Sequence, residues 1–149
     1  MPNLIDSINV KGDVTFTIYD QEGNIKQIIN DNNMVLTNGK YFIASKIAGS
    51  SASIAKMAIG SGKNSPSLSD TSLQTQIDVS KNIDTITSLN NIVTVTASFS
   101  GSTYASPSIS EAGLFSSDVS NNLICRTTFG AFPILSTDVI GISWKLTIV

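Results

Sequence analysis

The stretch Ser-Ile-Ser-Glu-Ala-Gly-Leu-Phe, residues 108–115, places one carboxylate, Glu111, inside a small and apolar segment. Two further runs are predicted to lie beside it as strands. Residues 122–129 contain Arg126, the only arginine of the chain, and residues 138–149 carry apolar side chains at every second position. Because side chains alternate between the two faces of an extended backbone, this alternation is typical of a strand. We therefore expect Glu111 and Arg126 to be partners on adjacent strands.

Glu111 has a structural and a functional interpretation. As a structural residue it is a half-buried carboxylate held by Arg126 or by backbone amides; as a functional residue it is an acid catalyst or a contact with a partner. Buried charges are rare unless they are paired, which favours the structural ion pair. Aromatic residues are expected to complete the core around this pair. They are Phe16, Phe42, Phe99, Phe115, Phe129 and Trp144.

Alternating patterns predict further strands, and turn residues separate them. Asp20 to Asn24 is a predicted turn in which Gly23 takes a positive φ, so that two strands form a hairpin. Asp31-Asn32-Asn33 is expected to break the second of these strands. Between residues 76 and 89 the pattern is weak and fits one or two strands. The clearer predicted strands are residues 11–19, 25–30, 34–36, 54–59 and 92–100.

One substantial helix is predicted, near residues 39–48. Thr37 or Asn38 can cap its first turn, and Gly49 ends it. Its buried side is expected to consist of Phe42, Ile43 and Ile47.

These elements predict a mainly β protein. About eight short strands with a single helix favour an antiparallel β-sandwich of the jelly-roll or immunoglobulin-like type. A length of 149 residues fits one domain, residues 1–149. Residues 1–10 form either an extended arm that reaches a neighbouring subunit or an ordinary terminus.

The composition limits the possible functions. Charged residues make up 13% of the chain, the net charge is −2, and the nine basic residues are scattered, so we expect no nucleic-acid binding. Histidine is absent, which removes the usual general base and the commonest neutral metal ligand. No apolar run approaches the roughly 18 residues of a membrane-spanning helix, and no secretion signal is expected. We therefore expect no enzyme, no cofactor and no membrane association.

Two motifs resemble functional sites only in part. Gly60-Ser61-Gly62-Lys63 lacks the first glycine of a phosphate-binding loop, where Met57 stands, and the Ser or Thr that follows the lysine. The sequence favours a plain loop there, continuing through residues 63–70. Cys125 has no base to activate it, so core packing is the favoured interpretation.

The order of several short motifs resembles a group of small virion proteins of tailed bacteriophages. The motifs follow an N-terminal hairpin and cover most of the chain. They are Asn33 to Lys40, "Met-Ala-Ile-Gly-Ser-Gly" (Met57 to Gly62), Asp70 to Leu73, "Ile-Ser-Glu-Ala-Gly-Leu-Phe", "Cys-Arg-Thr-Thr-Phe" and the terminal "Ile-Ser-Trp-Lys-Leu-Thr". A related Glu-x-Gly-Leu-Phe pattern occurs in the amino-terminal parts of phage tail-collar and tail-fibre proteins.

This resemblance implies a non-enzymatic virion subunit that is made in the host cytoplasm. We expect a capsid-associated decoration or auxiliary protein that contacts the major capsid protein and forms a homo-oligomer, such as a trimer. A neck, tail or fibre-attachment subunit is the first alternative. A carbohydrate-binding β-sandwich is the second, and it requires a solvent-facing Trp144 or an exposed patch of Tyr41 and Tyr104.

Overall fold

The computed structural model describes residues 7–118 and 122–149, and within them nine antiparallel strands form one curled, half-barrel sheet accompanied by two helices. The protein is 56% strand and 11% helix, so the mainly β, antiparallel class is confirmed. The strands follow one continuous order, β4-β3-β7-β8-β2-β1-β9-β6-β5, and a jelly-roll or immunoglobulin-like sandwich is not confirmed. The elements are β1 Val10–Tyr19, β2 Ile25–Val35, α1 Thr37–Ile47, β3 Ile54–Gly60, β4 Lys81–Asn82, β5 Thr85–Leu89, β6 Ile92–Ser100, α2 Gly101–Tyr104, β7 Ser106–Ser116, β8 Leu123–Ile134 and β9 Val139–Ile148.

β1 and β2 form the predicted hairpin, but β2 is longer than expected. Gly23 has a φ of +83°, as the turn requires. The predicted break at residues 31–33 is wrong, because β2 runs unbroken to Val35. Asn33 lies opposite Gly12, where a Cβ would come within 1.3 Å of the Asn33 Oδ1 atom. The missing side chain of Gly12 therefore leaves room for a polar residue at the open end of the hairpin.

Helix α1 begins two residues before its predicted start and buries less apolar surface than expected. Its N-cap is Leu36, with no side-chain cap, and Gly49 follows its end with a φ of +95°. The predicted burial of Ile47 is wrong, since this side chain is 81% exposed. Gly39 is the buried residue of the helix; a Cβ there would lie 2.3 Å from the carbonyl oxygen of Ile124. The helix therefore approaches β8 through a glycine rather than through its isoleucines.

The main core lies inside the curl of the sheet and joins its two halves. Phe16 on β1 contacts Phe129 and Phe132 on β8, with ring centroids 4.4 and 6.2 Å apart. Of the predicted core residues, Phe16, Phe99, Phe115 and Trp144 are buried, whereas Phe42 and Phe129 are half-buried and pack against the core. Phe115 belongs to a smaller second cluster with Leu36, Ala58, Leu73 and Leu123.

The region between residues 76 and 89, where the sequence pattern is weak, connects the two ends of the sheet. β4 pairs with β3, and the Ile83 amide donates to the carbonyl of Ala55 at 3.1 Å. The next amide, that of Asp84, donates to the carbonyl of Thr96 at 2.7 Å, and β5 then pairs with β6. One short segment, residues 81–89, thus contains both terminal strands of the half-barrel, one paired with β3 and the other with β6.

The predicted N-terminal arm is only partly within the described residues. Residues 1–6 lie outside them. Asn9 exchanges two backbone hydrogen bonds with Val149, and Val10 is the first residue of β1. Residues 9 and 10 are therefore paired with β9 of their own chain.

Candidate functional site

The Glu111 carboxylate is the centre of the most elaborate polar cluster in the part of the chain that the structure describes. β7 lies between β3 and β8, so that Glu111 faces Gly60 on one side and Thr128 on the other. Arg126 pairs with Gly113, two residues further along β7, and reaches Glu111 diagonally. The side chain of Glu111 has no exposed surface and that of Arg126 is 3% exposed. The site is thus buried more deeply than the half-buried position expected from the sequence.

Three backbone amides bind the carboxylate. The Gly62 and Thr75 amides each donate to Oε2 at 2.7 Å, and the Gln74 amide donates to Oε1 at 2.9 Å. All three belong to the loop between β3 and β4, which folds over β7. The negative charge is therefore distributed over donors that the loop backbone supplies, as a buried carboxylate requires.

Arg126 provides the opposite charge and connects a second carboxylate. Its Nε donates to Glu111 Oε1 at 3.2 Å, and its Nη1 donates to Asp70 Oδ2 at 3.0 Å. Nη2 lies 3.1 Å from Glu111 Oε1 but has no hydrogen bond of good geometry among the described residues, so this contact is purely electrostatic. The sequence predicts the pairing of Arg126 with Glu111 but gives no indication of Asp70. We call Asp70, Glu111, Arg126 and the three amide donors the Glu111 cluster.

Glycine is required at two positions beside the carboxylate. A Cβ on Gly62 would lie 2.3 Å from Glu111 Oε2, and one on Gly60 would lie 2.4 Å from the Thr75 carbonyl oxygen and 2.7 Å from Glu111 Oε2. The Gly60-Ser61-Gly62 motif thus lets the loop backbone approach an anion closely. The anion is the protein's own carboxylate, which gives these glycines a role without any phosphate.

Further hydrogen bonds fix the loop. Gln74 Oε1 accepts from the Lys63 and Asn64 amides, both at 2.9 Å, and the Ser110 hydroxyl donates to the Gly62 carbonyl at 2.8 Å. Asp70 Oδ2 also accepts from the Ser67 amide at 2.9 Å. These bonds close the loop on itself and on β7. Only the bond between Ser110 and Gly62 spans a long stretch of sequence, 48 residues; the others join residues of the loop itself.

The Glu111 cluster is built to hold segments together rather than to act on a solute. Both carboxylate oxygens already accept hydrogen bonds from internal donors, and neither the acid nor the arginine has appreciable exposed surface. A general acid or base must reach the proton that it transfers. The geometry therefore supports the structural interpretation of the pair.

Cys125 lies in a second, mostly apolar site with Trp144 and Asn33. Burial raises the pKa of the Cys125 thiol to about 12, although the polar side chain of Asn33 opposes the shift. Asn33 Oδ1 accepts a hydrogen bond from Trp144 Nε1 at 3.0 Å, whereas Asn33 Nδ2 has no hydrogen-bond partner among the described residues. A thiol with such a pKa remains protonated at neutral pH, so Cys125 packs in the core and is not activated as a nucleophile.

A second ion pair, with a buried carboxylate and an exposed lysine, lies where β9 begins. Asp138 is 2% exposed; its carboxylate contacts Lys26 Nζ at 2.9 Å and accepts from the Leu135 amide at 2.9 Å. Burial by itself raises the pKa of Asp138, but the Leu135 amide and Lys26 outweigh it and hold the pKa below its usual value. The sequence analysis did not single out this pair, because its members are 112 residues apart.

The aromatic residues needed by the carbohydrate-binding alternative are not exposed together. Trp144 has no exposed surface. Tyr41 is 67% exposed on α1, whereas Tyr104 is 6% exposed and its hydroxyl donates to the Val79 carbonyl at 2.9 Å. Neither the tryptophan nor the tyrosine patch that this alternative requires is therefore present.

Within residues 7–118 and 122–149, no group of three or more His, Cys, Asp or Glu side chains is arranged to hold a metal ion. The helices of these ranges include none that is both long and apolar enough to span a bilayer. Comparisons of the chain with protein-family models, with curated proteins and with solved structures found no match.

Proposed function

We propose that this chain is a non-enzymatic structural protein of a tailed-bacteriophage virion, and that it binds to the capsid as a decoration or auxiliary subunit. Its partners are then the major capsid protein and further copies of itself, with a trimer as one form to test. The proposal rests on the resemblance described above together with the arrangement of the residues that carry it.

The observation that carries the proposal is that four of the resembling motifs meet at the Glu111 cluster. "Met-Ala-Ile-Gly-Ser-Gly" supplies the Gly62 amide, and the segment from Asp70 to Leu73 supplies a carboxylate to the cluster. "Ile-Ser-Glu-Ala-Gly-Leu-Phe" supplies Glu111, and "Cys-Arg-Thr-Thr-Phe" supplies Arg126. The motifs thus form one interdependent structural unit. Such a unit supports a shared scaffold as the basis of the resemblance, in preference to unrelated short matches.

The surface also supports a protein that binds other proteins. Large apolar side chains are exposed on β2 and α1, including Ile25 at 57%, Ile28 at 54%, Tyr41 at 67% and Ile47 at 81%. Contacts with neighbouring capsomers need about 1,000 Å² or more of buried surface, and exposed apolar side chains contribute to such interfaces. With only 13% charged residues, the chain is also weakly protected against association.

We also propose that the curled sheet is a variant of the β-sandwich. Its core contains side chains from β1, β6 and β9 on one half of the sheet and from β3, β7 and β8 on the other. Two sheet faces that pack on each other in this way resemble the layers of a sandwich, although a single strand order connects them.

The test is to find the protein in purified particles of the phage that encodes it. Mass spectrometry of the particles should detect the chain, and a reconstruction should place it on the head lattice. Purified protein should also cosediment, at micromolar concentration, with expanded heads that lack it. Absence from the particles overturns the virion role. Density or immunogold label at the neck or tail favours the tail alternative and overturns the capsid assignment.

A further inference from the structure

Strand β5 has one unpaired edge. It forms one end of the sheet order, pairs with β6 only within residues 7–118 and 122–149, and has all five of its residues exposed. In an antiparallel pair, successive residues alternate between positions that bond across the ladder and positions that do not. Every second residue of β5 therefore directs its N–H and C=O groups away from β6 and into solvent.

This edge lacks the features that usually prevent strands from pairing. Exposed edges are commonly protected by lysine, proline, a bulge or very short length. The sequence of β5, Thr-Ile-Thr-Ser-Leu, contains no charge and no proline, and its register with β6 is continuous. At the other end of the sheet order, β4 has only two residues and one of them is Lys81. The protection is thus present at one end of the sheet and absent at the other.

Apolar side chains border the same edge. Ile86 is 46% exposed and Leu89 is 75% exposed. Leu89 pairs with Ile92 on β6, which is 37% exposed. A strand that added to β5 would therefore gain apolar contacts as well as backbone hydrogen bonds.

We propose that two copies of this chain pair antiparallel along the free edge of β5, so that one sheet continues into the other across a two-fold axis. With the axis at Thr87, Ile86 faces Ser88 of the second copy and Thr85 faces Leu89 of the second copy. All of these residues are neutral. Asp84, the nearest charge, then faces Asn90 of the second copy, so no like charges oppose each other. This self-complementarity favours a second copy over an unrelated strand.

The geometry also limits the size of the assembly. A two-fold contact uses the same edge on both copies and is closed once it forms. Since β4 is too short to offer a second edge of this kind, pairing through β5 gives a dimer and no fibre. This inference does not depend on the virion role, and it differs from the trimer considered above.

The test compares two isoleucine substitutions in the full chain, Ile86→Lys and Ile28→Lys. The two side chains are similarly exposed, at 46% and 54%, but Ile28 lies on β2, away from the β5 edge, and pairs with Thr17 of β1. Sedimentation velocity over a range of micromolar concentrations should show that the wild-type mass doubles as concentration rises. Ile86→Lys should weaken dimerisation by about 100-fold or more, because lysines on two adjacent edges repel each other. Ile28→Lys should dimerise like the wild type.

Hydrogen exchange and a second variant on β5 show whether a loss of dimerisation is caused by misfolding. In the wild type, the β5 amides should exchange more slowly as concentration rises, whereas those of the exposed turn at residues 20–24 should not change. If Ile86→Lys fails to fold, Ser88→Lys repeats the test on the same edge. A wild type that stays monomeric, a trimeric mass, or a dimer that resists the β5 substitutions but is lost in Ile28→Lys would overturn the proposal. Each of these results leaves the location in the virion to be decided by the particle experiments.

Discussion

β7 and β5 are both antiparallel strands of one sheet, yet their surroundings are opposite. Every residue of β7 from Ile109 to Ser116 is buried, whereas all five residues of β5 are exposed. β7 contains the buried carboxylate of Glu111, and β5 contains no charge at all. The difference lies in what covers each strand. The loop between β3 and β4 folds over β7 and brings amides to Glu111, while no element covers the free edge of β5 in the described part of the chain.

Whether a strand of this protein is buried depends more on whether another segment covers it than on how polar its residues are. A carboxylate tolerates complete burial when backbone donors and an arginine surround it. Neutral and apolar residues remain in solvent when no second layer lies above them. Substitutions at covered positions should therefore cost more than substitutions at uncovered ones.

Replacing Glu111 with glutamine should lower the free energy of unfolding by about 3–5 kcal/mol. The amide group cannot accept the hydrogen bonds that the second oxygen receives, and Arg126 loses its buried counter-charge. Urea unfolding followed by tryptophan fluorescence measures the change. The matched control is Glu22→Gln in the exposed turn, which should change the free energy by less than about 0.5 kcal/mol. If both variants were equally stable, Glu111 would not be the anchor that its contacts indicate.

Leucine truncation tests the same contrast without any charge. Leu114 on β7 has no exposed surface, whereas Leu89 on β5 is 75% exposed. Leu114→Ala should cost about 2–5 kcal/mol, because it removes buried contacts and leaves a cavity. Leu89→Ala should leave the stability of the monomer within about 0.5 kcal/mol. Measurements at low protein concentration keep any dimer out of the comparison, and a large loss from Leu89→Ala would show that β5 is covered in solution.

A methyl group added at Gly62 tests the close approach of the loop to the carboxylate. Gly62→Ala should destabilise the protein by about 1–3 kcal/mol, since its Cβ would overlap Glu111 Oε2 and force the loop away. Gly130→Ala is the control, because a Cβ at Gly130 has no atom within 4 Å. Equal stability of these two variants would contradict the packing of the loop over β7. Chemical denaturation measures both.

The Asp138 carboxylate should make a smaller contribution that depends on pH. Its pKa in the folded protein is lowered, so its stabilising effect is present above the unfolded value of about 3.9 and is lost as pH falls through the folded value. Asp138→Asn should therefore cost about 1–2 kcal/mol near pH 7 and progressively less below about pH 4. Lys26 is 36% exposed, and solvent screening reduces its share of the effect. A difference between wild type and variant that stays constant from neutral to acid pH would refute this assignment.

Sequence patterns predicted the strands in which buried and exposed residues alternate. They did not predict features that depend on segments far away in the sequence. The strand predicted at residues 92–100 is present as β6, and Val95, Ala97 and Phe99 are buried because one face of this strand packs on the core and the other is more exposed. The apolar residues of α1 misled the prediction for Ile47, since the helix approaches β8 through Gly39 instead. Continuous β2 was missed because asparagines are typical of turns, and nothing local showed that Gly12 would accommodate Asn33.

The candidate site was predictable only in its two charged residues. A lone arginine and a carboxylate in an apolar segment must find partners, so Glu111 and Arg126 could be paired from the sequence. The remaining partners are a third side chain, Asp70, and backbone amides of the loop between β3 and β4. Backbone donors have no signature in side-chain patterns, because every residue except proline carries one.

The distances along the chain between the partners of Glu111 have a consequence for synthesis and folding. The Gly62 amide precedes the acid by 49 residues and Arg126 follows it by 15. As the polypeptide leaves the ribosome, the acid therefore emerges before its counter-ion and stays hydrated until β8 has been made. The Glu111 side chain accordingly loses its water late in folding. The loop that binds it can take its final position on β7 only after β8 has been synthesised.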